Sequence, residues 1–432
     1  MAAARPATLE AWLSYLETLH PKSIELGLER VRAVLQRLRV HLQCPVITVT
    51  GTNGKGSTCA MLDAILRAAG YRTALYTSPH LLRYNERVRI DGRDVDDEAL
   101  VAAFNEIEDA RTAHEPIALT YFEFGTLAAL LLFERAAPDA AVLEVGLGGR
   151  LDAVNVIDPE VAVITSIDID HTDYLGPDRA SIAREKAGIV RAGRPVICGD
   201  PDPPPEFFDE VRVRGAEVRL IGRDFGFEAQ GQQWRYWSAA GERFGLPMPA
   251  LRGAYQLNNA ASCVAALEAV ADRLPVHAGA IREGLTSVEL PGRFQVLPGR
   301  PAIVLDVAHN AQAARSLAAT LGSMSFHPAS IAVVGMLRDK DIRAVFEALE
   351  GRIDRWHVAS LPGARGADAE MLRATLLDLG VPEERIGGFA NVEDAFVQAR
   401  EMAGENDRIV VFGSFLTVAA ALPLARSSTA HR

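Results

Sequence analysis

Residues 46–57 read Val-Ile-Thr-Val-Thr-Gly-Thr-Asn-Gly-Lys-Gly-Ser, and this stretch decides the fold. A β-branched, apolar run over 45–50 passes into a glycine-rich turn, then a lysine, then a helical pattern over 55–69 that stops at Gly70. A strand with no polar alternation is buried on both faces, as the strands of parallel sheets are. Glycines in the turn let backbone N–H groups close around phosphate oxygens, and the helix N-terminus adds its dipole. Gly54, Gly56 and Ser57 are therefore expected to line a nucleotide's phosphates, with Lys55 reaching the β- and γ-phosphates and Ser57 or Thr58 near magnesium. The spacing departs from the common G-x-x-x-x-G-K-[ST] pattern. Its first glycine would fall on Val49, and Gly56 separates Lys55 from the hydroxyl.

Outward from this loop, apolar runs over 73–77, 140–145, 161–167 and 195–198 predict further buried strands, and 120–135 predicts a strongly apolar helix. Strand, helix, strand at this spacing gives parallel βαβ units with helices on both faces. The stretch 225–246, with Trp234, Tyr236 and Trp237, alternates in short pieces and predicts a small antiparallel patch; a helix follows over 258–273. Turn signals crowd together in LPGRFQVLPGR at 290–300, where a domain boundary is expected. The α/β pattern then restarts, with strands over 302–306, 331–335 and 408–412 and helices over 311–321, 342–349 and 369–379. The expected fold is α/β: a P-loop mononucleotide-binding domain over 1–295 carrying the antiparallel patch, and a smaller Rossmann-like α/β domain over 296–432. The tail from Ser427 is expected to fray.

Composition bounds the function. The 432 residues suit two domains, and 49% hydrophobic with 23% charged residues is ordinary globular composition. A net charge of −11 argues against a nucleic-acid partner. Cys44, Cys59, Cys198 and Cys263 are far apart and form no CxxC pair, which suits a reducing compartment. The first residues hold no apolar signal core and no run is long enough to span a membrane, so a cytoplasmic location without membrane contact is expected.

Three segments carry candidate chemistry. Glu144 ends the apolar run of Ala-Val-Leu-Glu-Val-Gly-Leu-Gly-Gly-Arg-Leu-Asp at 141–152. Sites of parallel sheets gather at the carboxyl ends of strands, and a carboxylate there can hold magnesium against the phosphates. Asp168, Asp170, His171 and Asp173 cluster after the next strand and read equally as a solvated acidic loop. Lys186, in a helical stretch over 181–188, reads by itself as half of an ordinary surface Glu–Lys pair. Arg83, Arg87 and Arg89 either hold anionic carboxylates or are plain surface charge.

TGTNGKGS, SPHLLRYNERV, EVGLGGRLDA, DHTDYLG and IAREKAGI, in this order and spacing, resemble the folylpolyglutamate synthases and dihydrofolate synthases of the Mur ligase superfamily. The resemblance runs from about Ser23 to Ser414. It implies an ATP-dependent ligase, catalytic through Lys55, Lys186, His171 and Glu144, that joins L-glutamate to dihydropteroate and to tetrahydrofolates through an acyl phosphate. Ser78, Glu144, His171 and Lys186 would hold two magnesium ions, with Lys186 carbamylated by carbon dioxide and a monovalent cation as a further candidate. Asn259, Arg293 and Asp306 would join Gly54–Ser57 around ATP. Leu28, Glu29 and Arg30, with Thr120, Tyr121, Phe122 and Glu123 and with Leu151, Asp152 and Ala153, would contact the pterin or folate. An aromatic pair at a helix start could stack on a flat ring, although core is the usual fate of aromatics. His309 or His80 could take the amine proton. Leu305-Asp-Val-Ala-His-Asn310 matches the family's D-x-A-H-N motif, except that Ala311 stands where proline is usual. The family resemblance also implies a monomer.

A Mur-type peptidoglycan ligase is one rival, but the phosphate loop starts about fifty residues in, leaving no room ahead for a UDP-sugar domain. A monofunctional folylpolyglutamate synthase is another. A nucleotide switch without ligase chemistry would need only the loop and Lys55, and would leave Glu144, His171 and Lys186 unexplained.

Overall fold

The computed structural model describes residues 5–22 and 24–427. Ser23, which opens the first predicted folate segment, and the tail after Ser427 lie outside the described residues. The chain forms two compact units, Met1–Ala250 with Leu257–Val288, and Leu251–Gln256 with Glu289–Arg432. Nothing in the sequence signals the short excursion at 251–256.

The first unit is built on a sheet of β1 (Val46–Thr50), β2 (Thr73–Tyr76), β3 (Val88–Ile90), β4 (Arg93–Asp94), β5 (Ala140–Glu144), β6 (Val161–Ile164), β7 (Pro195–Cys198) and β8 (Glu217–Leu220). Their order is β4-β3-β2-β5-β1-β6-β7-β8. From β2 to β8 the pairing is parallel, and β3 and β4 fold back antiparallel at one edge. β1 is fully buried and takes β5 on one side and β6 on the other, so the strand order reverses there. A crevice opens outside the carboxyl ends at such a switch point.

The helix Lys55–Ala68 is buried from Gly56 to Leu66 because the sheet covers one face and the helix Ala278–Ser287 the other. The closing turn bonds Gly70 N–H to Arg67 O (2.8 Å) at a φ of 88°. The helix Tyr121–Ala136 packs Phe124 against Phe104 of the helix Asp97–Thr112 and Trp12 of the helix Leu9–Leu19. The strand predicted over 161–167 ends at Ile164, since residues 165–168 leave the sheet to bond the phosphate loop. The antiparallel patch is a meander of β9 (Phe225–Gln230), β10 (Gln233–Ser238) and β11 (Gly241–Pro247). Tyr236 anchors it by donating its hydroxyl to Glu268 (2.8 Å) on the helix Gln256–Ala269.

The second unit has β12 (Gln295–Leu297), β13 (Ala302–Leu305), β14 (Ser330–Val334), β15 (Arg355–Ala359), β16 (Ile386–Phe389) and β17 (Arg408–Phe412), in the order β12-β13-β17-β14-β15-β16. Only β12 runs antiparallel to its neighbour. Trp356 packs edge-on against Phe346 and Phe412 at its centre. The helix Ala311–Ser323 starts as expected although its first residue is not proline. Asn310 Oδ1 accepts the Ala313 N–H (2.9 Å), and that cap fixes the start without help from a restricted φ.

Candidate active site

The phosphate loop is stitched to the loop after β6. Thr52 N–H bonds Ser166 O (2.9 Å), Asn53 N–H bonds Ser166 Oγ (3.0 Å), and Thr165 Oγ1 donates to Asn53 O (2.6 Å). The Thr52 hydroxyl donates to Asp168 O and accepts from Asp168 N–H, both at 2.9 Å. These bonds hold residues 165–168 beside the turn that precedes Lys55. Gly54 occupies φ 87°, ψ −11° as the helix cap, and a β-carbon there would lie 2.6 Å from Asn259 Oδ1. Asn259, buried on the helix Gln256–Ala269, thus rests against the phosphate loop from above. Lys55 Nζ donates to Gly51 O (2.8 Å) and Thr52 O (3.2 Å), curled onto its own loop, and Ser57 is buried behind it.

Two of the four predicted metal ligands meet directly. Ser78, two residues past β2, donates its N–H to Glu144 Oε2 (3.0 Å) at the end of β5. His171 adopts a left-handed conformation (φ 52°) that opens the short helix Thr172–Leu175. Its N–H bonds Asp170 Oδ1 (2.8 Å), and Asp168 Oδ1 accepts from Ile169 N–H (2.8 Å), so the acidic cluster is an ordered turn; Asp173 remains exposed. Lys186 is buried on the helix Arg179–Ala187, which docks on the glycine loop after Glu144 through Arg150 N–H to Glu185 O (2.8 Å). Among the described residues no carboxylate lies within ion-pair distance of its amine. Burial, and next the positive charge of Lys55, push that amine's pKa well below the usual lysine range, and Asp170 opposes the shift. A surface Glu–Lys pair is therefore not what Lys186 is; Glu185 pairs instead with Arg150 (2.8 Å).

The three predicted substrate segments lie together. Gly27 N–H, next to Leu28 and Glu29, bonds Leu151 O (3.1 Å), and Arg30 pairs with Glu123 (2.9 Å). Thr120 and Glu123 form a reciprocal capping box, with Thr120 N–H to Glu123 Oε2 (2.7 Å) and Glu123 N–H to Thr120 Oγ1 (3.2 Å). Arg30 and Glu123 thereby fix the helix start that presents Tyr121 and Phe122. Phe122 lies so close over Gly146 that a β-carbon there would be 2.6 Å from Cζ, so only glycine fits beneath the ring. Asp152 caps residues 153–156 and accepts from Leu147 and Val154 N–H (2.9 and 3.0 Å). Burial outweighs those bonds and raises its carboxyl to about 7.

The two histidines proposed for proton transfer differ. His80 Nδ1 accepts Arg87 Nε–H (2.9 Å), so the neutral ring carries its proton on Nε2 and has no free lone pair. Burial and then Arg87 lower its pKa to about 4. His80 is a donor and not a base. His309 Nδ1–H donates to Val307 O (2.8 Å), which puts the lone pair on Nε2, the tautomer a base needs. In the same unit, Asp306 accepts from Phe294 and Ala308 N–H (2.8 and 2.7 Å), and Arg293 lies over the Phe415 ring at 4.9 Å. Sequence reasoning missed Thr52, Thr165 and Ser166. Their partners are more than a hundred positions away, so no local pattern marks them.

Residues 49–267 match the Mur ligase middle domain and 292–415 the Mur ligase glutamate ligase domain. The dihydrofolate synthase/folylpolyglutamate synthase of Escherichia coli K12 is 47% identical over 412 residues, covering 95% of this chain and 94% of that one. This chain belongs to the dihydrofolate synthase/folylpolyglutamate synthase family. The Haemophilus influenzae member is 43% identical over 430 residues, covering 95% of this chain and 96% of its own. The structure of E. coli FolC in complex with DHPP and ADP superposes with a TM-score of 0.92 at 45% identity, covering 98% of this chain and 99% of that one. A bifunctional member of the same family with Mn, AMPPNP and L-glutamate bound superposes at 0.89, also at 45% identity, covering 97% and 98%. The family carries the Mur ligase α/β architecture seen in both units. No helix among the described residues is long and apolar enough to cross a membrane.

Proposed function

We propose that this chain is an ATP-dependent acid–amino-acid ligase that adds L-glutamate to dihydropteroate and, as a folylpolyglutamate synthase, extends the glutamate chain of tetrahydrofolates. One observation carries the reading: Ser78 and Glu144 meet at the carboxyl ends of β2 and β5, beside a phosphate loop whose lysine lies close enough to shift the buried Lys186. A nucleotide switch needs none of that second group.

The residues present suit a divalent cation and ATP. Glu144 is a hard oxygen donor at the switch point, with one oxygen held by the Ser78 N–H. A buried amine kept neutral is nucleophilic toward carbon dioxide, and carbamylation would turn Lys186 into an anionic oxygen ligand. Ser78, Glu144, His171 and the Lys186 carbamate would hold two magnesium ions. When bound, these supply charge neutralisation at the phosphates during carboxylate attack. A monovalent cation is a further candidate that no contact in the structure singles out.

The chain's own groups then divide the work. Gly54, Lys55, Gly56 and Ser57 bind the phosphates, and Lys55 leaves Gly51 O and Thr52 O to take the charge that develops on the transferred phosphoryl group. Asn259 fixes the loop, and Arg293 and Asp306 are further ATP-binding residues. Leu28, Glu29, Arg30, Thr120–Glu123 and Leu151–Ala153 seat the pterin, with the Tyr121 and Phe122 rings as its platform. The substrate carboxylate attacks the γ-phosphate to give an acyl phosphate and ADP. The amine of glutamate attacks the acyl carbon, phosphate leaves, and His309 Nε2 takes the amine proton. Four free cysteines support a reducing, cytoplasmic setting, and we take the working form to be a monomer.

The test is a product assay by mass, offering the purified protein dihydropteroate and a tetrahydrofolate in parallel with ATP and glutamate. A mass increase of one glutamyl residue on both, with ADP formed only when glutamate is present, is expected. An increase on tetrahydrofolate alone would make it monofunctional, and glutamate-independent ATP hydrolysis alone would make it a switch.

A further inference from the structure

The three arginines of the 78–91 segment have different fates. Arg83 pairs with Asp97 (3.0 Å) and Arg89 with Asp94 (2.8 Å) at the surface. Arg87 is 9% exposed, and among the described residues it has no carboxylate partner. Among those residues its side chain makes one hydrogen bond, from Nε to the neutral His80 ring. The guanidinium carbon lies 5.2 Å from the Tyr84 ring centre and 5.5 Å from that of Tyr121. Other buried arginines are provided for: Arg111 makes two bonds of 2.6 Å to Glu108, and Arg408 bonds Ser330 Oγ (2.7 Å) and Leu321 O (2.8 Å).

A buried cation with a single hydrogen bond and no opposite charge is costly, because its desolvation is left largely without compensation. Such a residue persists where a ligand supplies the charge. The place is suggestive: Arg87 O accepts Thr77 N–H (3.0 Å), one residue before Ser78, while its guanidinium lies against Tyr121. Among the described residues four of its five N–H donors have no partner, and their fork suits a carboxylate held by two parallel bonds. Tyr84 and Tyr121 hold the fork flat, and His80 fixes its remaining edge.

We propose that Arg87 is a substrate-binding residue that receives a carboxylate of the folate-type substrate between the Tyr121 ring and the Ser78–Glu144 pair. This rests on the ligase reading for the identity of the substrate, and it singles out Arg87 from three arginines that the sequence leaves equivalent. The carboxylate is either the arylcarboxylate of dihydropteroate, which reacts, or a glutamyl carboxylate of a tetrahydrofolate.

The experiment compares wild type, Arg87→Gln and Arg87→Lys. Equilibrium binding is measured for dihydropteroate, for the same pterin lacking the carboxyl group, and for tetrahydrofolate, with ADP binding and melting temperature as controls. Wild type should prefer a carboxylate ligand over the carboxyl-free pterin by at least about tenfold, and Arg87→Gln should lose that preference. Arg87→Lys, with its charge but no fork, should keep part of it. Loss with dihydropteroate assigns the reacting carboxylate, and loss with tetrahydrofolate alone assigns the glutamyl one. ADP binding should be unchanged, and the melting temperature of Arg87→Gln should equal or exceed that of wild type, since an uncompensated charge has been removed. A structural arginine would give the opposite sign. Unchanged carboxylate preference in Arg87→Gln, or a matching loss of ADP binding and melting temperature, overturns the proposal. Wild-type protein that binds none of the pterins overturns the ligase reading instead.

Discussion

Replacing Gly54 with alanine separates two costs at the phosphate loop. The residue sits at φ 87°, ψ −11°, where an L side chain crowds its own backbone. That part costs about 1 kcal/mol relative to glycine. The new β-carbon would also lie 2.6 Å from Oδ1 and 3.3 Å from Cγ and Nδ2 of Asn259. Asn259 is buried, so it cannot swing into solvent and must leave its rotamer, at about another 1 kcal/mol. Chemical unfolding without nucleotide should therefore show Gly54→Ala destabilised by about 2 kcal/mol. Asn259→Ala removes the obstacle and leaves the backbone. In the double variant the steric half should disappear, giving a coupling of about 1 kcal/mol. Nucleotide affinity should fall in Gly54→Ala, because the N–H groups that close on phosphate are displaced with the turn. Strict additivity of the two substitutions would refute the packing argument, and an unchanged Gly54→Ala would refute both parts.

If Lys186 is the metal ligand proposed above, Lys186→Met should lower turnover on the order of a hundredfold or more, and a carbamate carbon signal from labelled bicarbonate should be present in wild type and absent in the variant. No signal in active wild type would remove the carbamate. Asp152, raised to about 7 in the fold against about 4 when unfolded, binds a proton more tightly folded than unfolded. Its effect is absent below pH about 4 and grows as pH rises to about 7, so the nucleotide-free protein should lose about 2–3 kcal/mol between pH 5 and 8 from this group. Asp152→Asn should lack that part of the slope, and equal slopes in the two proteins would rule it out.

The sequence by itself determined the architecture and most of the chemistry. A buried strand cannot alternate polar and apolar residues, and a glycine-rich turn before a lysine and a helix serves few purposes, so Val46–Ser57 was legible locally. So were the carboxyl-end position of Glu144 and the cap at Asn310. Tertiary structure alone decided the three arginines and the two histidines. Arg83, Arg87 and Arg89 are alike in sequence, yet only Arg87 is turned inward between Tyr84 and Tyr121. His80 and His309 look interchangeable until their Nδ1 partners, a guanidinium donor and a carbonyl acceptor, fix opposite tautomers. Lys186 reads as a surface lysine until its helix docks on the glycine loop and the amine is buried within reach of the Lys55 charge. Charge state and tautomer depend on burial and on neighbours brought from distant positions, and a one-dimensional pattern carries neither.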